Sequence, residues 1–482
     1  MSLQDGSRQS ISHVGHQVVL VRPYNRTSML IPNHGLGYLA TGARRLGLSV
    51  AIEDFIRDRV ELERIKAVIA PHKPLLVGIQ VYTFDLPGLG AQIAAIRQAA
   101  PDAALIAGGP HPSADPQGFL EAFPHLHGAI AGEAELGFPN LAAAVVEANG
   151  WPAPDMLVRI PGLVWRSADG AIQCNPRAHV EDLDSLGLPA WDLIDPLSYP
   201  CAPQGTFLRR LPYAPIIVTR GCPHQCTFCA GHVVSGRRLR TRSIPHVIQE
   251  LRMLVDTYGI REFHIQDDNF THSREYVLGF CNALQQEQFD LTWACPNGIR
   301  LDTLDHEVLQ AMERAGCYSV AVGIEAGTQR VLNLMKKRLE LHEARARIAL
   351  IRKTTKMRVT GFFILGYPGE TLEEMKRTVK LAMRLDIDKV NFGILMPLPG
   401  TEVHDLLESR GLLAEIDLGR MSEYRSPYSP PGIDTAAFRR FFRRSFIFFY
   451  ARPRIIYRFV RDIKSLDQLN VLWHRLRDVV TG

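Results

Sequence analysis

The feature of the sequence that most constrains its fold is an alternation of short apolar runs with amphipathic helical segments, which occurs twice along the 482 residues. Strands that are apolar on both faces and alternate with helices are typical of a parallel sheet covered by helices on both sides. The first half therefore predicts a doubly wound α/β domain over residues 16–150, preceded by a disordered segment, 1–15. Its strand-like runs are VVLV, VAIEDF, LLVGIQVY, ALIAGG and GAIAGE, starting at residues 18, 50, 75, 104 and 128.

A second alternation follows a segment of different character. Residues 151–205 are rich in Pro, Asp and Trp and contain GLVWRSADGAIQCNP, in which ADG predicts a hairpin turn, so we interpret this segment as a linker with local structure. Six strand-like runs come next: APIIVTRGC, EFHIQDDNF, LTWACPNGIR, SVAVGIEAG, VTGFFILGYPGE and VNFGILMPLPG. Six strands are too few for a closed eight-stranded barrel, which favours an open, partial (β/α)6 barrel of the TIM type over residues 206–405. A helical region, 406–482, completes the chain.

Composition places the chain among ordinary globular proteins. Hydrophobic residues make up 46% and charged residues 22%, and a formal net charge of +5 does not favour nucleic acid as a partner. The first residues lack the pattern of a signal peptide and no run of about eighteen apolar residues occurs, so a cytoplasmic protein is predicted. In a reducing compartment, scattered cysteines are expected to be buried small side chains: Cys174, Cys201, Cys281, Cys295 and Cys317.

Cys222, Cys226 and Cys229 lie together in RGCPHQCTFCA, directly after a predicted strand. Three interpretations are open at this point. Buried thiols that are neighbours by chance do not explain the polar residues between them. A zinc ion takes four protein ligands, or three and a water, and His224 or His232 offers a nitrogen. An iron–sulfur cubane usually takes four thiolates, so three leave one iron open to a small molecule.

This CxxxCxxC spacing, with Phe228 before the last cysteine, resembles the signature of radical S-adenosylmethionine (SAM) enzymes. In that family three thiolates hold a 4Fe-4S cluster whose fourth iron binds SAM, and one electron splits SAM to give a 5′-deoxyadenosyl radical. GIEAG, GFFILGYPGET and MPLPGTEV resemble further motifs of the family's barrel. The resemblance implies that Cys222, Cys226 and Cys229 are the catalytic, metal-binding residues.

The same resemblance implies SAM contacts at the carboxyl ends of the barrel strands. An aromatic ring would pack beside the adenine, the DDNF turn would lie near the SAM amino group, and two glycines would make room for the adenine. Plain alternatives stay open, since aspartates cap helices, glycines form turns and Arg300 has Asp302 within reach on the surface. The implied SAM-binding residues are Phe228, Asp267, Asp268, Asn269, Arg300, Glu325, Gly366 and Gly369.

The first half resembles the Rossmann-like cobalamin-binding domain that accompanies this barrel in one class of radical SAM enzymes. The matching segments are HGLGYLATGARRLG, AGGPHPSADP and GEAE. Many such domains carry D-x-H-x-x-G, whose His ligates cobalt. Here the loop reads PNHGLG and lacks the Asp that would orient the imidazole, so a cobalt ligand and an ordinary histidine at the start of a helix both stay open. The implied cobalamin-binding residues are His34, Gly35, Tyr82, Thr83, Gly108, Gly109, His111, Gly132 and Glu133.

The tail has a distinct pattern, FRRFFRRSFIFFYARPRIIYRFVRDIK over residues 438–464, in which Arg alternates with aromatic and aliphatic residues. One interpretation is a helical pair that caps the barrel and breaks at Pro453. The other is a peripheral membrane surface or a channel for an apolar substrate. Similar tails occur in relatives that act on tetrapyrroles or polyisoprenoid lipids, which implies a large, apolar small-molecule substrate.

The resemblance as a whole implies a cobalamin-dependent radical SAM enzyme, most simply a C-methyltransferase that acts on an unactivated carbon and takes electrons from an external flavodoxin or ferredoxin. One alternative is an oxidative cyclase or rearrangement enzyme, like the anaerobic magnesium-protoporphyrin monomethyl ester cyclases. A further alternative is a sensor that binds cobalamin or the cluster without catalysis.

Overall fold

The computed structural model of the chain describes residues 15–25, 30–199, 208–414, 416 and 428–462, and for residues 459–462 the backbone only. The segment 1–14, expected to be disordered, lies outside the described residues, and so do Cys201 and the last residues of the basic aromatic run, 463–464. The described residues form two large sheets accompanied by helices, as the α/β alternation predicts.

The strands of the first sheet are β1 (Val18–Arg22), β2 (Val50–Asp54), β3 (Leu76–Gln80), β4 (Ala104–Gly108), β5 (Gly128–Ile130), β6 (Leu163–Arg166) and β7 (Ile172–Cys174). Their order is β2-β1-β3-β4-β5-β6-β7, and β1 to β5 run parallel. These five strands are the apolar runs of the first half. β2 to β5 are slightly shorter than their runs because turn residues begin at the carboxyl end, whereas β1 is one residue longer than its run.

Helices cover both faces of this sheet: α1 (His34–Arg45), α2 (Ile65–Ile69), α3 (Leu86–Ala99), α4 (Pro110–Ala114), α5 (Pro116–Ala122), α6 (Gly137–Ala148) and α7 (Pro154–Leu157). Successive residues of β1 point to opposite faces. Val18 and Leu20 belong to one buried cluster with residues of α1 and α6, whereas Val19 and Val21 belong to another with residues of α2, α3 and α5. The doubly wound fold is therefore confirmed.

The hairpin predicted in the linker is formed by β6 and β7, and it is part of the first sheet. β6 pairs antiparallel with β5 and β7 with β6, so the hairpin extends the first sheet. Cys174 is exposed because it ends the edge strand β7, and the prediction that it is buried is wrong. Cys281, Cys295 and Cys317 are buried, as predicted.

The strands of the second half are β8 (Tyr213–Ile216), β9 (Thr219–Arg220), β10 (Arg240–Thr241), β11 (Glu262–Ile265), β12 (Thr292–Ile299), β13 (Cys317–Glu325), β14 (Arg358–Leu365) and β15 (Lys389–Ile394). The second sheet has the order β15-β14-β13-β12-β11-β8 with all strands parallel. Within the described residues β15 and β8 do not pair, so the barrel is open, as predicted. β9 and β10 form a separate antiparallel ribbon, which the sequence did not predict.

Helices follow the strands: α8 (His232–Ser235), α9 (Ile244–Tyr258), α10 (Arg274–Gln286), α11 (His306–Arg314), α12 (Gln329–Leu334), α13 (Leu341–Thr354), α14 (Leu372–Arg384), α15 (Glu402–Glu408), α16 (Thr435–Tyr450) and α17 (Pro453–Asp462). In β14 the burial alternates. Phe363 and Leu365 belong to the helix-covered core, whereas Phe362 and Ile364 point the other way and are half-buried. The inner face of the barrel is therefore accessible.

The tail packs one face on the barrel and exposes the other. In α16 the buried residues include Phe442 and Phe446, and Phe446 meets Phe392 of β15 edge to face with 5.5 Å between ring centroids. The helix ends at Tyr450, shortly before the predicted break at Pro453. Across the described ranges, no helix combines the length and apolar character that spanning a membrane requires.

Candidate active site

The three cysteines lie in the loop that joins β9 to β10, at the carboxyl end of β8, and the β9–β10 ribbon closes the base of this loop. Gly221 follows β9 with a φ of +85°, and a side chain there would overlap the carbonyl oxygen of Arg238. Only glycine permits this close approach. Cys222 and Cys226 are half-buried and Cys229 is exposed, so the thiols face accessible space.

The spacing of the sulfur atoms favours a cluster over a single zinc ion. Zinc holds thiolates at about 2.3 Å, which brings two ligand atoms to within about 4 Å of each other. Among the described residues, only His404, Asp405 and Glu408 have ligand atoms that all lie within 4.8 Å of one another. The three cysteine sulfurs are not such a group, which counts against a ready-made site for a single zinc ion. His232 is not part of any such group either, and its Nδ1 lies 3.1 Å from the carbonyl oxygen of Cys229.

Thr227, which sequence reasoning missed, anchors the cysteine loop. Its N–H donates to the carbonyl oxygen of Met335 at 3.1 Å, and its own carbonyl oxygen accepts from the N–H of Val403 at 3.0 Å. Its hydroxyl lies 2.7 Å from that of Tyr367, which is 140 positions away. The neighbouring Phe228 packs against the apolar cluster that includes Tyr367. A threonine between two cysteines carries no sequence signal of this role, because all its partners are distant in the chain.

The DDNF turn follows β11, and some of its side chains bind protein groups whereas others do not. Asp267 is buried, and its carboxylate accepts the N–H groups of Val218 at 2.7 Å and Thr219 at 2.8 Å, so it holds the segment that leads to the cysteine loop. Burial raises the pKa of Asp267 to about 7 although these N–H groups oppose the shift. Asp268 is exposed. Asn269 is 1% exposed, and its amide has no hydrogen-bond partner among the described residues, which is what a bound polar ligand would supply.

Glu325 ends β13 with a φ of +67° and is paired with Lys337, a second residue that sequence reasoning missed. The Lys337 Nζ donates to the carboxylate of the buried Glu325 at 2.8 Å, and Lys337 itself is half-buried. Burial opposes the lysine charge, but Glu325 and Cys226 hold the pKa of Lys337 above its ordinary value. Arg300 donates to Asp302 through two nitrogens, so the alternative pairing left open by the sequence is formed. The KK pair after α12 is the signal that could have pointed to Lys337.

The GYPGE turn follows β14 and is shaped from two sides. A side chain at Gly366, whose φ is +87°, would meet the ring of Phe438 at 2.9 Å and Pro430 at 3.1 Å, so the C-terminal region fills this space. At Gly369 no described atom lies within 4 Å of the position a side chain would take. Glu370 accepts the N–H of Gly366 at 2.9 Å, and burial raises its pKa to about 7.

The residues expected to contact cobalamin gather along the carboxyl edge of the first sheet. The strand order changes direction between β1 and β3, which is where sheets of this kind bind ligands. After β3, the rings of Tyr82 and Phe84 stack in an exposed position with centroids 5.1 Å apart. The Thr83 hydroxyl lies 3.1 Å from Nδ1 of His111. This edge carries Gly35, Tyr82, Thr83, Gly108, Gly109, His111 and Gly132.

His34 begins α1 but faces the second sheet. It is 6% exposed, and its Nε2 lies 2.9 Å from the carbonyl oxygen of Pro215 in β8. A carbonyl oxygen only accepts, so Nε2 carries the hydrogen and is engaged. Burial lowers the pKa of His34, and its ring packs edge to face on Trp191 with centroids 5.4 Å apart. The structure therefore places a neutral His34 at the contact between the sheets.

Glu133 also reaches the second half of the chain. Its carboxylate accepts hydrogen bonds from two nitrogens of Arg240 at 2.6 and 2.7 Å and from the N–H of Val180 at 2.8 Å, and Arg220 lies 3.6 Å away. Glu135 pairs with Arg220 at 2.7 Å. Burial acts to raise the pKa of Glu133, but these arginines hold it below its ordinary value.

The two candidate cofactor edges lie side by side. α4, which begins next to Gly109, packs against α8, which follows the cysteines. Ala114 at the end of α4 lies beside Gly400, in the turn after β15. Three accessible thiols, the unpartnered amide of Asn269 and the stacked rings at the first edge fit a cluster, SAM and a corrin, respectively. The residues present therefore suit all three groups.

Comparison with known protein families assigns the two halves. Residues 216–382 match the radical SAM superfamily, and residues 26–142 match the B12 binding domain. The chain is therefore an enzyme of the radical SAM class that carries a cobalamin-binding domain, and its cofactors are a 4Fe-4S cluster, SAM and cobalamin. The enzyme interpretation is confirmed over the sensor.

Relatives within this class include methyltransferases and a cyclase. The chain is 27% identical to the uncharacterized methyltransferase PH0819 of Pyrococcus horikoshii, over 90% of each chain. It is 29% identical to the cytidylyl-2-hydroxyethylphosphonate methyltransferase of Streptomyces wedmorensis, over 83% of this chain and 82% of the relative. It is 24% identical to the anaerobic magnesium-protoporphyrin IX monomethyl ester cyclase of Rubrivivax gelatinosus, over 79% and 66%. The radical SAM methyltransferase TsrM of Kitasatospora setae, solved with cobalamin and a 4Fe-4S cluster, shares the fold, with a TM-score of 0.67, 21% identity and coverage of 82% of this chain and 78% of that one.

Proposed function

We propose that the chain is a C-methyltransferase that acts on an unactivated carbon, with cobalamin as the methyl carrier. The observation that carries the proposal is the packing of α4 against α8, which sets the cobalamin edge of the first sheet beside the cysteine loop. A methyl group can pass between SAM and cobalt only over a short path, because reacting atoms must approach to about 3–3.5 Å. The relatives that are named methyltransferases support the same reaction.

When bound, the cluster and SAM would supply a carbon radical, and cobalamin would carry the methyl group on its cobalt. The residues of the chain position these groups. We assign the cluster to Cys222, Cys226 and Cys229, in a loop held in place by Thr227 and Asp267. In the DDNF turn, the amide of Asn269 has no partner among the described residues, and we assign it to SAM. The inward face of β14 would then admit the substrate below the cysteines.

An experiment without substrate tests this proposal. Anaerobic, cobalamin-loaded protein receives methyl-labelled SAM and a strong reductant, and mass spectrometry follows S-adenosylhomocysteine, 5′-deoxyadenosine and label in the corrinoid fraction. Methyl transfer predicts S-adenosylhomocysteine and labelled corrinoid. Cys226→Ala should lose 5′-deoxyadenosine, whereas the matched control Cys174→Ala, which changes an exposed cysteine outside the loop, should retain every product. Formation of 5′-deoxyadenosine with an unlabelled corrinoid would contradict methyl transfer.

A cyclase is the second candidate, because the cyclase of Rubrivivax gelatinosus matches 79% of the chain. In such a reaction cobalamin would not pass a methyl group to the substrate. The labelling experiment separates the two functions, since a cyclase should give 5′-deoxyadenosine and leave the corrinoid without label.

We further propose a large small-molecule substrate with an apolar reacting part, of the tetrapyrrole or isoprenoid type. On the inner face of the barrel, Phe362 and Ile364 lie towards the cysteine end, the polar Asn391 of β15 lies level with Phe362, and Thr360 lies deeper in; all four are half-buried. A porphyrin and a polyprenyl phosphate, added separately to the labelling assay, test this class. Label in either product supports it, and label in neither product contradicts it.

We propose peripheral contact with an anionic membrane through the corner between α16 and α17. This corner exposes four large apolar side chains next to a row of arginines, a combination that suits acyl chains and anionic headgroups. The protein should sediment with anionic but not with neutral liposomes, and Phe448→Ser should weaken this more than the control Leu46→Ser. If the protein does not sediment with anionic liposomes, the membrane contact is wrong and the tail serves only to cap the barrel. The exposed side chains are Ile447, Phe448, Ile456 and Tyr457.

An external one-electron donor of the flavodoxin or ferredoxin type completes the proposal, in a reducing, cytoplasmic setting. Outside the cysteine loop, the described cysteines are one exposed edge residue and three buried core residues, which do not build a second cluster. We therefore assign electron delivery to another protein. Reduced flavodoxin should support 5′-deoxyadenosine formation in place of the chemical reductant, and failure of both flavodoxin and ferredoxin would contradict this part.

A further inference from the structure

One loop of the first sheet, AGEAE at residues 131–135, forms ion pairs with the β9–β10 ribbon, which carries the cysteine loop. The loop leaves the carboxyl end of β5 at the cobalamin edge and reaches the ribbon three residues later through Glu133. Arg220 of β9 and Arg240 of β10 stand directly opposite each other in the ribbon. Glu133 contacts both arginines, so one carboxylate ties together the two strands that close the cysteine loop.

The clamp that Glu133 forms with Arg220 and Arg240 is buried. The side chains of Glu133 and Arg240 are 1% and 4% exposed. Arg240 also donates to the carbonyl oxygens of Val180 and Ser235 at 2.7 Å each. The Arg220 guanidinium lies over the ring of Tyr38 at 5.3 Å. Each nitrogen contact fixes a direction as well as a distance, because bidentate arginine–carboxylate pairs have a defined planar geometry.

We propose that Glu133 is a positioning residue that sets the cysteine loop at a fixed distance and angle from the cobalamin edge. This inference rests on the function proposed above, in which SAM at the cysteine loop delivers its methyl group to cobalt. The Glu133 carboxylate contacts protein groups, and it acts through Arg220 and Arg240. Its expected effect is on transfer between the two halves, since a misplacement of about 1 Å can slow a reaction about 10²-fold.

The clamp is separable from the assembly of the two halves. Arg177 bridges them independently by donating to the carbonyl oxygens of Ser113 at 2.6 Å and Val233 at 3.3 Å. The packing of α4 on α8 is a further link. Removal of the Glu133 carboxylate should therefore leave the halves associated and both cofactors bound, while the ribbon loses its anchor.

The experiment compares Glu133→Ala and Glu133→Gln with wild type in cluster- and cobalamin-loaded protein. The first readout is the distance distribution between the reduced cluster and cob(II)alamin, measured by pulsed electron paramagnetic resonance. We expect it to broaden most in the Ala variant. The second is product partition: label in the corrinoid should fall about 10²-fold, while 5′-deoxyadenosine, which needs only the barrel, changes little. The control Glu181→Gln breaks an exposed pair with Arg238 nearby and should change neither.

Two outcomes would overturn the proposal. A distance distribution equal to wild type would show that the clamp fixes nothing. Equal losses of bound cofactor, labelled corrinoid and 5′-deoxyadenosine would show a merely structural role. If wild-type protein labels no corrinoid, methyl transfer fails but the distance measurement still decides the positioning role. If the Ala variant does not fold, the Gln variant, which keeps hydrogen-bonding capacity without the charge, decides it.

Discussion

Replacement of His34 by glutamine tests whether this histidine serves cobalt or the contact between the two sheets. Glutamine can keep a donor near the position of the His34 Nε2, which lies 2.9 Å from the carbonyl oxygen of Pro215, but it cannot titrate. Burial, with Arg242 and Arg220 nearby, lowers the pKa of His34, so the folded ring stays neutral where an unfolded histidine takes up a proton. Below about pH 6.5 the free energy of unfolding should therefore fall by up to about 1.4 kcal/mol per pH unit from this group alone.

Urea unfolding of the cofactor-free protein between about pH 7.5 and about pH 5.5 measures this contribution as the difference between wild type and His34→Gln. The variant should lose less stability on acidification, because it removes the group that the unfolded state protonates. His342→Gln, which changes an exposed histidine on α13, is the matched control and should follow wild type. Cobalamin absorbance should be the same in wild type and variant.

Two results would refute the reasoning about His34. One is an acid sensitivity that the substitution leaves unchanged. The other is loss of nitrogen coupling from the cob(II)alamin resonance spectrum in His34→Gln, which would show that His34 ligates cobalt after all.

Three further predictions concern the cluster, a buried ion pair of the second half and the tail. Cys226→Ala should abolish the broad visible absorbance of the anaerobically reconstituted protein, and persistent colour would contradict the cluster assignment. Glu250→Ala should lower the free energy of unfolding by about 3–5 kcal/mol in urea, because Arg242 would stay buried without its carboxylate; a loss below about 1 kcal/mol would contradict this. Gly366→Ala should cost about 1–3 kcal/mol in thermal unfolding, since its φ is +87° and its side chain would meet Phe438, and an unchanged midpoint would contradict that packing.

The strands of both sheets could be predicted from the sequence because each is a short apolar run between turn residues, and the hairpin could be predicted from its turn. The position of the hairpin in the sheet could not be predicted, because nothing in GLVWRSADGAIQCNP indicates that it pairs with β5. The β9–β10 ribbon escaped prediction because strands of two residues show no periodicity. The roles of Glu133 and His34 could not be predicted because each depends on a buried partner that is distant in the sequence. Glu133 binds Arg240, 107 positions away, and His34 binds Pro215, 181 positions away.

The residues that resemble cofactor motifs fall into two groups with different consequences. The carboxylates of Asp267 and Glu133 and the guanidinium of Arg300 are engaged by other protein groups, so they build the frame of the site. Within the described residues, the amide of Asn269 has no hydrogen-bond partner and no atom lies next to the side-chain position of Gly369. Polar groups of a cofactor motif can thus hold the neighbouring backbone in position instead of binding the cofactor. Substitutions in the frame should therefore change where the cofactors sit relative to each other, whereas substitutions at Asn269 or Gly369 should change how tightly SAM binds.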